Sequence, residues 1–237
     1  MKYRILILLS ILIIINACSS SRATKGSSGF YDTGEIRYKN SIIDGKREGI
    51  TKEYYKNGNV RFDWNYKNNQ LNGESKEFHQ DGKYTIWVYK SDTLIEGRTY
   101  TPNGILETRF NYINGLREGK SIRYYETGEE ETIWVYNNGN LIEGNGYFKT
   151  GELKMEYRYV NGIPEGISTE YEINGNILRE YLYENGDLNG ITKENYSNGK
   201  IKFEWKYQNG KLNGGTKEYF ENGNIKNIWK YSDGKLN

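Results

Sequence analysis

His79 and Cys18 are the only histidine and the only cysteine among 237 residues. Covalent catalysis needs a nucleophile and a base within hydrogen-bond reach, and structural zinc needs several His and Cys ligands. This chain supplies neither set. His79 also falls at a repeat position held elsewhere by Tyr55, Tyr125, Tyr196 and Phe220, so it reads as an aromatic substitute. Carboxylates are plentiful, but Glu53, Glu77, Glu170, Glu194 and Glu218 recur at one position beside Lys52, Lys76, Lys193 and Lys217. Acid–base catalysis wants two carboxyls in unlike environments. Recurrence at rung after rung instead predicts a charged ladder on a solvent face, Glu paired with its neighbouring Lys, that keeps a sheet soluble. The glycines precede strands rather than helices, so no phosphate cradle is expected. The chain reads as a non-enzyme, with no cofactor and no metal.

Cys18 has a different use. Lys2 and Arg4 precede an apolar run from Ile5 to Ile15, and Asn16-Ala17 leads into Cys18. Eleven residues fall short of the about 20 needed to span a bilayer, but they suit the core of an export signal. The Ala17-Cys18 junction resembles a bacterial lipobox, which implies cleavage before Cys18 and acylation of its thiol and new amino group. Several acyl chains give stable attachment where one is marginal. The expected organisation is a signal peptide over 1–17, a Ser-rich tether over 18–28 headed by lipidated Cys18, and a repeat array over 29–237. The membrane is thus one partner and the bacterial cell envelope, at the outer membrane, the location. Loss of Lys2 and Arg4 leaves 31 bases against 31 acids, interspersed. A nucleic-acid partner, which needs a basic stripe, is excluded on that balance.

The positioning elements follow from a repeat. Gly49, Gly73, Gly97, Gly119, Gly144, Gly166, Gly190 and Gly214 are spaced by 24, 24, 22, 25, 22, 24 and 24 residues. Each unit reads G-x-x-K-E-Y-Y-x-N-G, an alternating stretch, then Y-x-N-G-x-L-N-G. Val60, Phe62, Trp64 and Tyr66 alternate with Arg61, Asp63 and Asn65, and Ile201, Phe203, Trp205 and Tyr207 do the same. Period two means a half-buried strand. The segment before each Asn-Gly supplies a second strand with Tyr54, Phe78, Tyr124, Tyr171 or Tyr219, and Asn57-Gly58 and its equivalents mark hairpin tips. The units after Gly97 and Gly144 are two residues shorter before the tip, a change that keeps every side chain on its face. Tyr (23 residues) and Gly (28) dominate the composition, which suits a sheet better than a Leu- and Ala-built core. The fold class is all-β: an elongated single-layer antiparallel meander of about eight stacked hairpins.

The E-Y-Y-x-N-G run at Glu53 to Gly58 and the Y-x-N-G-x-L-N-G close at Tyr207 to Gly214 resemble the bacterial variant of the MORN repeat, sometimes labelled YwqK-type antitoxin. The resemblance covers about Phe30 to Asn237 and implies a twisted sheet of stacked hairpins, with little implied about activity. The units opening at Gly97 and Gly144 lack K-E-Y-Y. Rows of Tyr and Trp cover a lone sheet, and they also suit protein partners or sugar rings. The candidate partner-binding residues are Trp64, Tyr66, Trp87, Tyr89, Trp134, Tyr136, Trp205, Tyr207, Trp229 and Tyr231. The expected role is a lipid-anchored, non-catalytic protein-interaction scaffold with an unidentified protein partner. An antitoxin or immunity protein and a glycan-binding or carbohydrate-active module are the alternatives. Open sheet edges would also allow edge-to-edge self-association.

Overall fold

The computed structural model describes residues 27–237; residues 1–26, which include the expected signal peptide, Cys18 and most of the tether, lie outside the described residues. Two tether residues are described: Ser28 opens the first strand, and the Ser27 carbonyl accepts the Asn40 N–H. Among the described residues every regular element is a strand, and every pairing is antiparallel. The chain divides into two compact units, one ending at Gln70 and one running from Leu71 to Asn237.

In the first unit Ser28–Phe30 pairs with Ile36–Lys39, which pairs with Gly49–Tyr54, which pairs in turn with Val60–Lys67. The second unit has the same plan in fourteen longer strands from Gly73–Phe78 to Ile225–Ser232, each after the first bonded to the one before it. Meander order follows from the short connections, because antiparallel neighbours need only a tight turn.

Two kinds of turn alternate. At the tips one glycine alone has positive φ, as at Gly58 (86°) and Gly175 (85°), and the preceding Asn57 or Asn174 accepts the N–H two residues on. At the Y-x-N-G close two consecutive residues have positive φ, as at Asn185 (51°) and Gly186 (91°), the type I′ geometry that suits strand twist. These closing turns also bond to the turn before: Gly186, Gly210 and Gly234 donate to the carbonyls of Pro164, Leu188 and Leu212. Glu118 and Glu165 cap the same turns, accepting the Asn138 and Asn185 N–H at 2.7 Å.

Among the described residues no second layer packs on the strands. Among large apolar side chains of the described residues only Phe62, Tyr89 and Ile133 are buried. Cohesion therefore rests on the ladders and on cross-strand side-chain pairs.

Candidate functional site

One pair recurs at all eight rungs. A small residue on one strand lies directly opposite an aromatic ring on the next: Thr51 with Trp64, Ser75 with Trp87, Gly97 with Phe110, Ser121 with Trp134. The series continues with Gly144 and Tyr157, Ser168 and Tyr181, Thr192 and Trp205, and Thr216 and Trp229. Ser75, Ser121 and Ser168 are only 1% exposed. A small side chain there lets the opposing ring lie down across the strand, and the ring then covers it.

This places Gly97 and Gly144 in the small-residue column, not at the opening bend where their spacing put them. Neither has positive φ, whereas Gly49, Gly73, Gly119, Gly166, Gly190 and Gly214 all do. The opening Gly and the residue after it form a two-residue jog: the Tyr183–Leu188 and Glu180–Lys193 pairs differ in register by two. Where Gly97 and Gly144 stand, a single-residue bulge at Ile95 or Ile142 replaces the jog. Counted from the small-residue column, Gly97 to Gly104 is seven residues, the same as Ser75 to Gly82, so the apparent shortening before the tip is a difference of starting point.

The side that carries the small column and the rings is called here the ring side of each hairpin. All ten aromatic residues singled out by sequence are buried or half-buried, none of them exposed. The rings are held laterally as well. Trp87 Nε1 donates to Glu77 at 2.9 Å, Trp64 Nε1 to Glu53 at 3.4 Å, and the Tyr181 hydroxyl to Glu170 at 3.1 Å. Arg47 sits 4.3 Å over the Tyr66 ring and donates to its hydroxyl, and Arg117 sits 5.3 Å over the Tyr136 ring and donates to its hydroxyl. Phe62 stacks on Trp64 at 4.4 Å and Phe203 on Trp205 at 5.0 Å.

The glutamate ladder is therefore on the ring side, and the solvent-face reading of Glu53, Glu77, Glu170, Glu194 and Glu218 is overturned. Glu53 pairs directly with Phe62, and Glu194 with Phe203. Adjacent residues of a strand point to opposite faces, so Lys52 and Lys193 lie on the reverse side, away from Glu53 and Glu194. Lys52 bonds Asp63 there at 2.8 Å.

Glu194 is the most enclosed of these carboxylates. It accepts from Arg179 and from Lys202, at 2.8 and 2.9 Å, and Arg179 also reaches Glu170. Burial opposes its charge, but the hydrogen bonds from Lys202 and Arg179 outweigh that and hold the carboxyl below the usual range. The same side carries a group of tyrosines. Burial, and then the neighbouring Tyr183, Tyr159 and Tyr181, push the Tyr157 phenol up to about 12. Burial likewise raises Tyr159, Tyr181, Tyr183 and Tyr207. These phenols stay neutral donors, which fits hydrogen bonding to a ligand and not proton abstraction at neutral pH. His79 is a ring-side residue whose Nε2 lies 2.9 Å from the Thr85 hydroxyl.

Sequence reasoning had the Trp and Tyr columns but not the Ser, Thr and Gly beneath them. The signal was present, since Ser or Thr stands two residues after six of the opening glycines. It also left Phe110, Tyr157 and Tyr181 out of the candidate set, although they hold the same rung position as the tryptophans.

The class is thus a β-hairpin repeat protein built on a small-residue and ring pair. Its residues 47–68, 188–209 and 212–233 each match the MORN repeat variant, one hairpin per match. No curated protein matches the chain. Among solved structures, S. aureus TarM aligns at 10% identity and a TM-score of 0.29, over 66% of this chain and 24% of TarM. The pore form of the Photorhabdus luminescens Tc holotoxin aligns at 12% identity and 0.18, over 86% of this chain and 14% of that one. The chain spans about a quarter of TarM's length.

Proposed function

We propose that the protein is a non-catalytic interaction scaffold of the bacterial cell envelope, held to the membrane by acylated Cys18 and binding a protein through its ring side. The observation that supports this is the fixed state of the rings: small residues lie beneath them and Glu and Arg groups brace their edges. Rings already held in place lose little freedom on binding, which favours affinity. Tyr and Trp combine apolar area with a polar tip, the composition of interface anchors. A toxin acting in the envelope is one partner class such a surface serves, as the YwqK-type resemblance implies.

The full chain, captured from envelope extract through a C-terminal tag, should retain a protein that a Tyr183→Ala, Trp205→Ala double variant loses. Equal retention by both would remove the ring side from the binding surface. Fatty-acid analogue labelling should mark the wild type and not Cys18→Ala. Undiminished labelling of the variant would end the lipid-anchor reading.

A further inference from the structure

The reverse side of the second unit carries a pattern that the ring side does not explain. Ile167, Leu182 and Ile191 are 56%, 38% and 47% exposed, and they lie together because Ile167 pairs with Leu182 while Leu182 covers Gly190. Val160 and Ile163, also exposed, extend the patch toward the closing turn. An aliphatic group open to water on a sheet with no second layer marks an interaction surface.

The charges around it are divided by sign. Before the patch, the reverse side of Asn140–Tyr147, Leu153–Val160 and Ile177–Glu184 bears Glu143, Glu156, Glu180 and Glu184 against Arg158, while Lys154 is the bulge residue beside the tip and lies over the Phe148 ring. After it, the reverse side of Gly190–Asn195 through Ile225–Ser232 bears Lys193, Lys206, Lys217 and Lys230 against Glu204 alone. The dividing line runs between Leu182 and Ile191.

We propose that this face pairs with the same face of a second copy, around a two-fold axis parallel to the strands and lying between Ile177–Glu184 and Gly190–Asn195. One cross-strand row runs Glu156, Thr169, Glu180, Lys193, Glu204, Lys217. Rotation about its centre sets Glu180 against Lys193 of the other copy, Thr169 against Glu204, and Glu156 against Lys217. The neighbouring row sets Leu182 against Ile191, Ile167 against the Lys206 stem, and Glu143 against Lys230. No like charges meet, as an isologous interface requires of a self-complementary patch. Eight strands of six to eight residues present roughly 800–1,000 Å², from about 4.8 Å between strands and 3.3 Å per residue. That matches the about 800 Å² per partner of a stable interface. Face-to-face packing of twisted sheets is a standard arrangement, and here it leaves both ring sides outward, so the dimer displays two binding surfaces.

Light scattering on the full chain in detergent should give a dimer at tens of micromolar. Glu156→Lys and Lys217→Glu should each be monomeric, with wild-type circular dichroism. Mixing the two variants should restore dimers, because the hybrid pairs opposite charges at both contacts while each homodimer opposes like ones. Recovery by mixing cannot come from misfolded chains. A monomeric wild type, as expected if a lipid surface or another protein covers this face, overturns the proposal. So does a single variant that stays dimeric, or a mixture that stays monomeric.

Discussion

The rung at Gly144 and the rung at Ser168 place a small residue under an aromatic ring by different backbone routes. At Ser168 the strand begins after a jog, with Gly166 at φ 79°, and runs to Tyr171 as a separate short element. At Gly144 it runs unbroken from Asn140 to Tyr147, and the bulge at Ile142 absorbs the mismatch. The side-chain partners differ too. Around Ser168 the ring side is braced by the linked ions Glu170, Arg179, Glu194 and Lys202. Beside Gly144 stand Gly146 and, one rung earlier, Arg123 with its single partner Glu131. The Ser168 rung is braced by linked, partly buried charge, whereas the Gly144 rung is held by ladder length and close ring contact.

The largest expected effect tests the charged half of that contrast. Glu194→Gln leaves Arg179 and Lys202 facing a neutral amide. The carboxylate is buried and its partners are part-exposed, so the cost should be about 2–3 kcal/mol, somewhat below that of breaking a fully buried pair. Arg123→Gln, on a half-exposed side chain, should cost less than about 1 kcal/mol. The pH dependence has a defined sign. Because the folded carboxyl is held below the ordinary 4.5, its contribution is present above that pH and is lost as pH falls through the lowered value. Urea titrations between pH 3 and pH 7 should show an acid limb that Glu194→Gln flattens.

The next effect tests the close-contact half. A Cβ at Gly97 would meet the Trp87 ring at 2.7 Å, with no room on the other side, where Phe110 lies at 3.4 Å. Gly97→Ala should cost about 1–3 kcal/mol, read as a fall in the thermal midpoint. At Gly215 the φ is ordinary and no atom lies within 4 Å of a new Cβ. Gly215→Ala should therefore gain about 0.4–1 kcal/mol through the unfolded state.

These sites also separate what was legible in the chain from what was not. The strand parity of Val60, Phe62, Trp64 and Tyr66 could be read directly, because a period of two is local. Which of Lys52 and Glu53 shares the face of Trp64 could not. That depends on cross-strand register, and the register shifts at Tyr54 and Val60 beside the tip. The same limit applied to Gly97 and Gly144. Their spacing matched the opening glycines, and only the bulges at Ile95 and Ile142 reveal that they stand in the Ser and Thr column.

A smaller effect appears only at high pH. Tyr157 titrates at about 12 in place of 10.0. Its contribution is whole below pH 10 and is lost as pH rises through 12, at most about 2 kcal/mol once its partial exposure is allowed for. Tyr157→Phe should leave neutral stability nearly unchanged and move the alkaline midpoint upward. An unaltered midpoint would take Tyr157 out of alkaline unfolding.

The smallest expected effect is the most diagnostic of why Ser and Thr occupy the column. The hydroxyls of Thr51, Ser121, Ser168 and Thr216 are buried and have no hydrogen-bond partner within the protein. A buried, unsatisfied hydroxyl stabilises nothing, and its removal at constant shape is neutral or favourable. Ser168→Ala should thus shift the denaturant midpoint by less than about 0.5 kcal/mol, possession of a small side chain being all the Tyr181 ring requires. Ser168→Leu should instead cost about 1–3 kcal/mol by lifting that ring. A large loss in Ser168→Ala would mean that the hydroxyl itself is bound, and the column would then be a polar seam and not a seat for rings.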